Sequence, residues 1–126
     1  MRTNTHDGPL LVLVAGPYRS GTGDDPTKLA ANVDAMNRAA LDSFRAGHVP
    51  VTGEALALPL IELAGGRTVG DHVFEEVFHP IARRLLAHCD AVLRVGGASA
   101  GADEMVGIAR ADGKLVVTCV EELPPA

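Results

Sequence analysis

Short apolar runs alternate along the chain with segments of helical periodicity, and this alternation limits the fold more than any other feature. Strands are predicted at 12–15, 48–51, 91–95 and 115–120. Helical spacing marks 27–46, 54–63, an amphipathic stretch within 70–90, and 104–111. A strand that is followed by a helix and then by another strand is typical of parallel sheets. We therefore predict a single α/β domain with a doubly wound, mainly parallel sheet of four or five strands, Rossmann-like or flavodoxin-like.

Prolines and the chain ends refine this outline. Pro50 predicts an edge position or a strand end for the second strand, because proline cannot donate to a ladder. Pro80 predicts a kink, or two helices that meet near His79. Residues 1–9 are polar and are expected to form a flexible tail, and residues 121–125 are expected to form a tail or an interface segment.

Composition excludes several classes of partner. The net charge is -5, only two lysines occur, and Tyr18 is the sole tyrosine in a chain without tryptophan, so we predict no nucleic-acid partner. Cys89 and Cys119 lie beside apolar runs and are interpreted as core thiols of a protein in a reducing interior. No apolar run approaches the roughly 20 residues that span a bilayer. The chain is expected to be cytoplasmic, with no membrane partner.

Two glycine-rich loops form the best candidate site for a small molecule. Residues 16–25 follow the first strand and residues 96–103 follow the third, and the carboxyl ends of parallel strands share one edge of the sheet. The sequence of 16–23, GPYRSGTG, lacks the Lys and Ser/Thr of a triphosphate loop and the G-x-G-x-x-G of a dinucleotide fold. No cofactor is therefore predicted. The loop can still hold a phosphate or a sugar through backbone N–H groups, Arg19 and Ser20, and the alternative is a turn with an exposed arginine.

Other chemistry has less support. His72 and His79 lie seven residues apart with no third ligand at helical spacing, and His88 falls on a different face, so no metal site is predicted. Ser99 lies within a G-x-S-x-G sequence, Gly97 to Gly101, but it is not predicted to be a nucleophile, and neither cysteine has a placed base.

Three segments carry a resemblance to a known family. They read VAGPYRSG, AGHVPVTGEALALPLIELAG and CDAVLRVGGASAGADEMVGIARADGK, within roughly residues 10 to 120. They resemble the nucleoside 2-deoxyribosyltransferase-like superfamily, and within it a branch of small domains. The resemblance implies cleavage or exchange of N-glycosidic bonds of (deoxy)nucleosides or nucleoside 5′-monophosphates by a Glu nucleophile. It also implies a homo-oligomer, dimer or tetramer, in which a neighbouring subunit completes the site.

Breaking an N-glycosidic bond requires a carboxylate at the sugar and a proton donor at the base, so the acids beside the two loops are the candidate catalytic residues. Glu104, near a helix N-terminus, is the predicted nucleophile; Asp103 is its rival, and Asp90 is a weaker match to an orienting acid. The predicted substrate contacts are Gly16, Pro17, Tyr18, Arg19, Ser20, Gly97, Ser99 and Gly101.

The register of the predicted nucleophile departs from the family. There the Glu lies eight residues before the glycine of the closing Gly-Lys turn, whereas here Met105 holds that position and Glu104 lies one residue earlier. Three hypotheses therefore stay open: an N-glycosidase or deoxyribosyltransferase, a non-catalytic nucleotide or nucleotide-sugar sensor, and a structural oligomerisation domain.

Overall fold

The computed structural model describes residues 8–126, so most of the predicted tail at residues 1–9 lies outside the described residues. Along this part of the chain, strands and helices alternate. The elements are β1 (Leu11–Ala15), α1 (Pro26–Arg45), β2 (Val49–Thr52), α2 (Gly53–Leu63), α3 (His72–Leu86), β3 (Ala91–Arg94), α4 (Ala100–Ala111), β4 (Leu115–Val117) and a short 3₁₀ helix (Val120–Glu122).

The four described strands form one all-parallel sheet in the order β2-β1-β3-β4. Leu13 lies opposite both Val51 and Val92, which places β1 in the interior and β2 at an edge, as Pro50 predicted. The predicted α/β fold is thus confirmed. The chain leaves β1 for one side of the sheet and later returns to its other side, so the carboxyl ends of β1 and β3 form the switch point where such sheets bind ligands.

Helices cover both faces of the sheet. Val12 and Val14 point toward α1, where Met36 and Leu123 complete one core. Leu13 and Ala15 point the other way, toward a core that α3 and α4 supply. A smaller cluster of Ala57, Ile61, Val73 and Phe74 joins α2 to α3 beside the end of the sheet. No described helix has the length and apolar character needed to cross a membrane.

Each of the four α-helices in the described part of the chain begins at a polar side chain that accepts a hydrogen bond from the first turn. The capping residues are Asp25, Thr52, Asp71 and Ser99. Ser99 Oγ accepts from the N–H of Ala102 at 3.1 Å, so α4 begins at Ala100. The prediction that this helix begins at residue 104 was wrong, because the small residues of the loop continue into the helix once the serine caps it.

Two further expectations are corrected. α3 is a single helix through Pro80, so the alternative of two helices that meet near His79 was wrong, whereas the kink stays a prediction. Pro80 cannot donate a hydrogen bond to the carbonyl of Glu76, an exposed residue where solvent can take its place. The C-terminal segment is not a free tail: Leu123 is buried, and the Pro124 carbonyl accepts from Nε2 of His48 at 2.8 Å. Cys89 is buried as predicted, but Cys119 is exposed because β4 ends at Val117.

Candidate functional site

A cavity of about 240 Å³ lies at the carboxyl end of β1, bounded by the loop after that strand and by α2, α3 and α4. Six of the predicted contact residues line it: Gly16, Tyr18, Arg19, Ser20, Ser99 and Gly101. The expectation that the two glycine-rich loops lie together is therefore met. Pro17 and Gly97 are not among the lining residues; Pro17 packs on Gly96, and the Gly97 carbonyl accepts from Arg94 at 2.8 Å.

The three predicted acids lie outside this cavity. Glu104 is an exposed residue of α4, and its Oε1 accepts from Nε of Arg83 at 2.9 Å and lies 2.8 Å from Nη2 in an ion pair. Asp103 is also exposed and accepts from Nε of Arg94 at 3.1 Å. Asp90 precedes β3, and its Oδ2 accepts from the N–H of Leu11 at 2.8 Å. This contact lies at the amino ends of β1 and β3, whereas the cavity lies at the carboxyl end of β1. Their catalytic roles remain predictions that this geometry does not support.

The carboxyl group that does line the cavity belongs to Glu54, which sequence reasoning missed. It lies in the first turn of α2, immediately after β2, where the Thr52 hydroxyl accepts from the N–H of Ala55. Glu54 is only 8% exposed, and its Oε2 has no hydrogen-bond partner among the described residues. Burial raises the pKa of Glu54 to about 7, against the smaller opposing effect of a hydrogen bond from its own backbone.

An acid directly after the end of a parallel strand was the sequence signal that could have identified Glu54. The carboxyl end of β2 lies on the same edge of the sheet as the two glycine-rich loops. The residues that line the cavity with Glu54, in contrast, come mostly from β1, α3, α4 and the loop after β1, which no local pattern around Glu54 contains.

A stack of aromatic rings forms the wall beside Glu54. Tyr18 lies over Phe78 with ring centroids 5.2 Å apart, and Phe78 lies over Phe74 at 4.5 Å. Asn32 Nδ2 donates to the Tyr18 carbonyl at 2.8 Å and fixes the loop to α1. Burial, and then the charge of Glu54, raise the pKa of Tyr18, so its hydroxyl remains a hydrogen-bond donor.

Arg19 is the only lysine or arginine among the described residues that line the cavity, and it is already paired. Its Nε and Nη2 donate to the two carboxylate oxygens of Asp24, each at 3.0 Å. Nη1 lies 3.8 Å from Glu75, and the guanidinium carbon lies 5.5 Å from the ring centroid of Phe74. Asp24 adopts a positive φ of 60°, which turns the loop back so that its carboxylate meets Arg19. The arginine therefore brings little uncompensated positive charge to the cavity.

Together these features define an α/β protein with a cavity at the switch point of its sheet. No family model matches the chain, and no curated protein matches it either. Within residues 8–126, no group of three or more His, Cys, Asp or Glu side chains is arranged to hold a metal ion.

Proposed function

We propose that this protein cleaves the N-glycosidic bond of a deoxynucleoside, as an N-glycosidase or deoxyribosyltransferase, with the Glu54 carboxylate as nucleophile. One observation carries the proposal: a buried carboxyl group with an unpartnered oxygen lines a cavity at the ligand-binding edge of the sheet. Burying a carboxyl oxygen without a hydrogen-bond partner lowers the stability of the folded protein, so a role in binding or reaction explains why such a group is present. The resemblance to the deoxyribosyltransferase-like superfamily implies N-glycosidic cleavage, a reaction that uses a carboxylate nucleophile.

The environment of Glu54 suits this reaction. As the bond between C1′ and the base nitrogen breaks, positive charge develops on the sugar. A carboxylate that is shielded from water attracts that charge more strongly than a hydrated one, and the attraction exists only as the transition state forms. Oε2 has no hydrogen bond to lose when it bonds to C1′. Water or a second base then releases the sugar.

The remaining walls supply contacts for a nucleoside. The aromatic side chains in the lining, Tyr18, Phe74 and Phe78, offer apolar surface to a base or sugar ring, and the hydroxyls of Tyr18 and Ser20 offer hydrogen bonds. A cavity of about 240 Å³ is smaller than the clefts of roughly 300–1,000 Å³ that hold drug-sized ligands. This size suits a single nucleoside better than a dinucleotide.

Release of free base from deoxynucleosides is the direct test. The protein is incubated with each of the common 2′-deoxynucleosides, and the products are separated by chromatography, with and without a second free base as acceptor. Free base without acceptor indicates hydrolysis, and a new nucleoside with acceptor indicates transfer. If nucleosides raise the melting temperature but no bond is cleaved, the enzyme proposal fails.

A nucleotide or nucleotide-sugar sensor is the second candidate. It is favoured by Met105, which lines the cavity at the position where the resemblance places the nucleophile. A thioether cannot replace a carboxylate in this reaction, so the sensor becomes the better proposal if nucleosides or nucleotides bind but no glycosidic bond is cleaved.

The pairing of Arg19 with Asp24 leads to a prediction about the 5′-phosphate. A phosphate in the cavity would meet the buried acid Glu54 and an arginine that is already neutralised, so we expect the neutral nucleoside to be preferred over its 5′-monophosphate. Asp24→Asn keeps the side-chain size and tolerates the positive φ, yet it frees the guanidinium charge. We expect this variant to raise kcat/KM for the monophosphate about tenfold relative to the nucleoside.

Asp34→Asn is the matched control, because Asp34 pairs with Arg38 on the exposed side of α1 and does not line the cavity. Steady-state kinetics on both substrates should show no change in their ratio for this variant. A wild-type preference for the monophosphate, or an equal shift in both variants, would contradict the prediction.

A further inference from the structure

His79 lines the same cavity as Glu54, from the middle of α3. Its ring meets the Phe78 ring edge-on, with centroids 5.4 Å apart, and is half-buried. Neither imidazole nitrogen forms a hydrogen bond or an ion pair with any other residue in the described part of the chain. Both nitrogens are therefore available to a molecule in the cavity.

The start of α4 leaves room for this imidazole. A Cβ on Gly101 would lie 3.0 Å from Cε1 of His79 and 3.6 Å from Nδ1, closer to Cε1 than side chains normally pack. Gly101 has no positive φ that would demand glycine. Its lack of a side chain instead allows the histidine ring to lie against the helix start at the cavity wall.

We propose that His79 is a catalytic residue that protonates the departing base, an inference that rests on the proposed N-glycosidic cleavage. A purine or pyrimidine leaves poorly as an anion, so one of its nitrogens needs a proton as the bond breaks. Imidazole is the side chain that exchanges a proton most readily near neutral pH. The other lining groups fit the task less well: Glu54 acts at the sugar, the pKa of Tyr18 is raised, and arginine does not give up its proton.

The proposed cleavage takes place in two steps. In the first, Glu54 Oε2 bonds to C1′, the electron pair of the C1′–N bond passes to the base, and the imidazolium of His79 transfers its proton to the base nitrogen. In the second, water attacks C1′ and the carboxylate of Glu54 departs. The neutral imidazole accepts one proton from that water, which restores the imidazolium and leaves the sugar with a hydroxyl group.

Substrates whose base needs no proton provide the test. N7-methyl-2′-deoxyguanosine carries a positive charge on the base, so its base leaves as a neutral molecule without gaining a proton. The base of 2′-deoxyguanosine, in contrast, needs a proton in order to leave as a neutral molecule. If the enzyme accepts only pyrimidines, 5-fluoro-2′-deoxyuridine and 2′-deoxyuridine form the corresponding pair, because the fluorinated base leaves more readily as an anion. Rates are corrected for spontaneous cleavage.

We expect His79→Asn to lower kcat/KM about 10²- to 10⁴-fold on the substrate that needs a proton. The loss should be much smaller on its activated partner. His72→Asn, at an exposed position of the same helix outside the cavity, should leave both rates unchanged. Where His79→Asn does not fold, Gly101→Ala carries the test, since its methyl group displaces the ring and should produce the same selective loss in weaker form.

The outcomes separate this inference from the proposed function. Equal losses on both substrates mean that His79 only shapes the cavity, which overturns the inference while base release by the wild type upholds the proposed function. If the wild type releases base from neither substrate of either pair, both fail. A selective loss in His79→Asn, with Glu54→Gln inactive on both substrates, supports both.

Discussion

Glu54→Gln is expected to lower kcat/KM for base release by about 10⁴-fold or more, because removing a nucleophile commonly costs that much. The amide has the size of the carboxyl group but can neither attack C1′ nor offer a full negative charge to the developing cation. Glu54 is buried and its Oε2 is unpartnered, so the substitution breaks no ion pair in the described structure. The rate is measured by chromatography of the free base at substrate concentrations well below KM.

Glu104→Gln is the matched control for this experiment. The same chemical change at an exposed position removes only the ion pair with Arg83 and leaves the cavity lining intact. Exposed ion pairs contribute little to stability, so the variant should fold and retain activity within a few-fold of the wild type. If Glu104→Gln abolishes turnover and Glu54→Gln does not, the nucleophile is the residue that the sequence predicted and our proposal is wrong.

The geometry of α4 explains why one residue of register matters here. Ala102, Met105 and Ala109 follow one another at spacings of three and four, and all three are buried against the sheet. Glu104 precedes Met105 by one residue, which turns its side chain about 100° around the helix. It therefore meets Arg83 on the exposed surface instead of the cavity. The apolar spacing of this segment predicts that Glu104 faces outward only if the helix is taken to begin at Ala100.

The sheet and the loops could be predicted because local signals define them. The buried strands form continuous apolar runs, and Asp25 before Pro26 marks the start of α1 by its cap. The meeting of the loops after β1 and β3 follows from parallel topology alone.

The acid in the cavity could not be predicted in the same way, because its burial depends on distant segments. Glu54 lies in the first turn of the apolar helix α2, and most residues that line the cavity with it come from β1, α3, α4 and the loop that carries Tyr18. Homo-oligomer formation likewise stays a prediction; the exposed side of α2, with Leu56, Leu60 and Leu63, is the surface on which to test it.

The raised pKa of Glu54 also predicts how stability depends on pH. Its pKa lies at about 7 in the folded protein against an ordinary value of 4.5, so the folded state holds the proton more tightly than the unfolded state. This contribution to stability is complete below about pH 4.5 and is lost as the pH rises through about 7. A shift of this size corresponds to roughly 3 kcal/mol in the free energy of unfolding.

Glu54→Gln isolates this contribution, since its amide does not titrate. We expect wild type and variant to respond differently to pH: relative to the variant, the wild type should lose roughly 3 kcal/mol of unfolding free energy between about pH 4 and pH 8. Urea denaturation of both proteins across this range measures the difference, in which the contributions of all other titrating groups cancel. Glu104→Gln should follow the wild type, because its exposed carboxylate is paired with Arg83 rather than buried. Parallel curves for wild type and Glu54→Gln would show that the carboxyl group is hydrated in solution, and that conclusion would remove the physical basis for its role as a desolvated nucleophile.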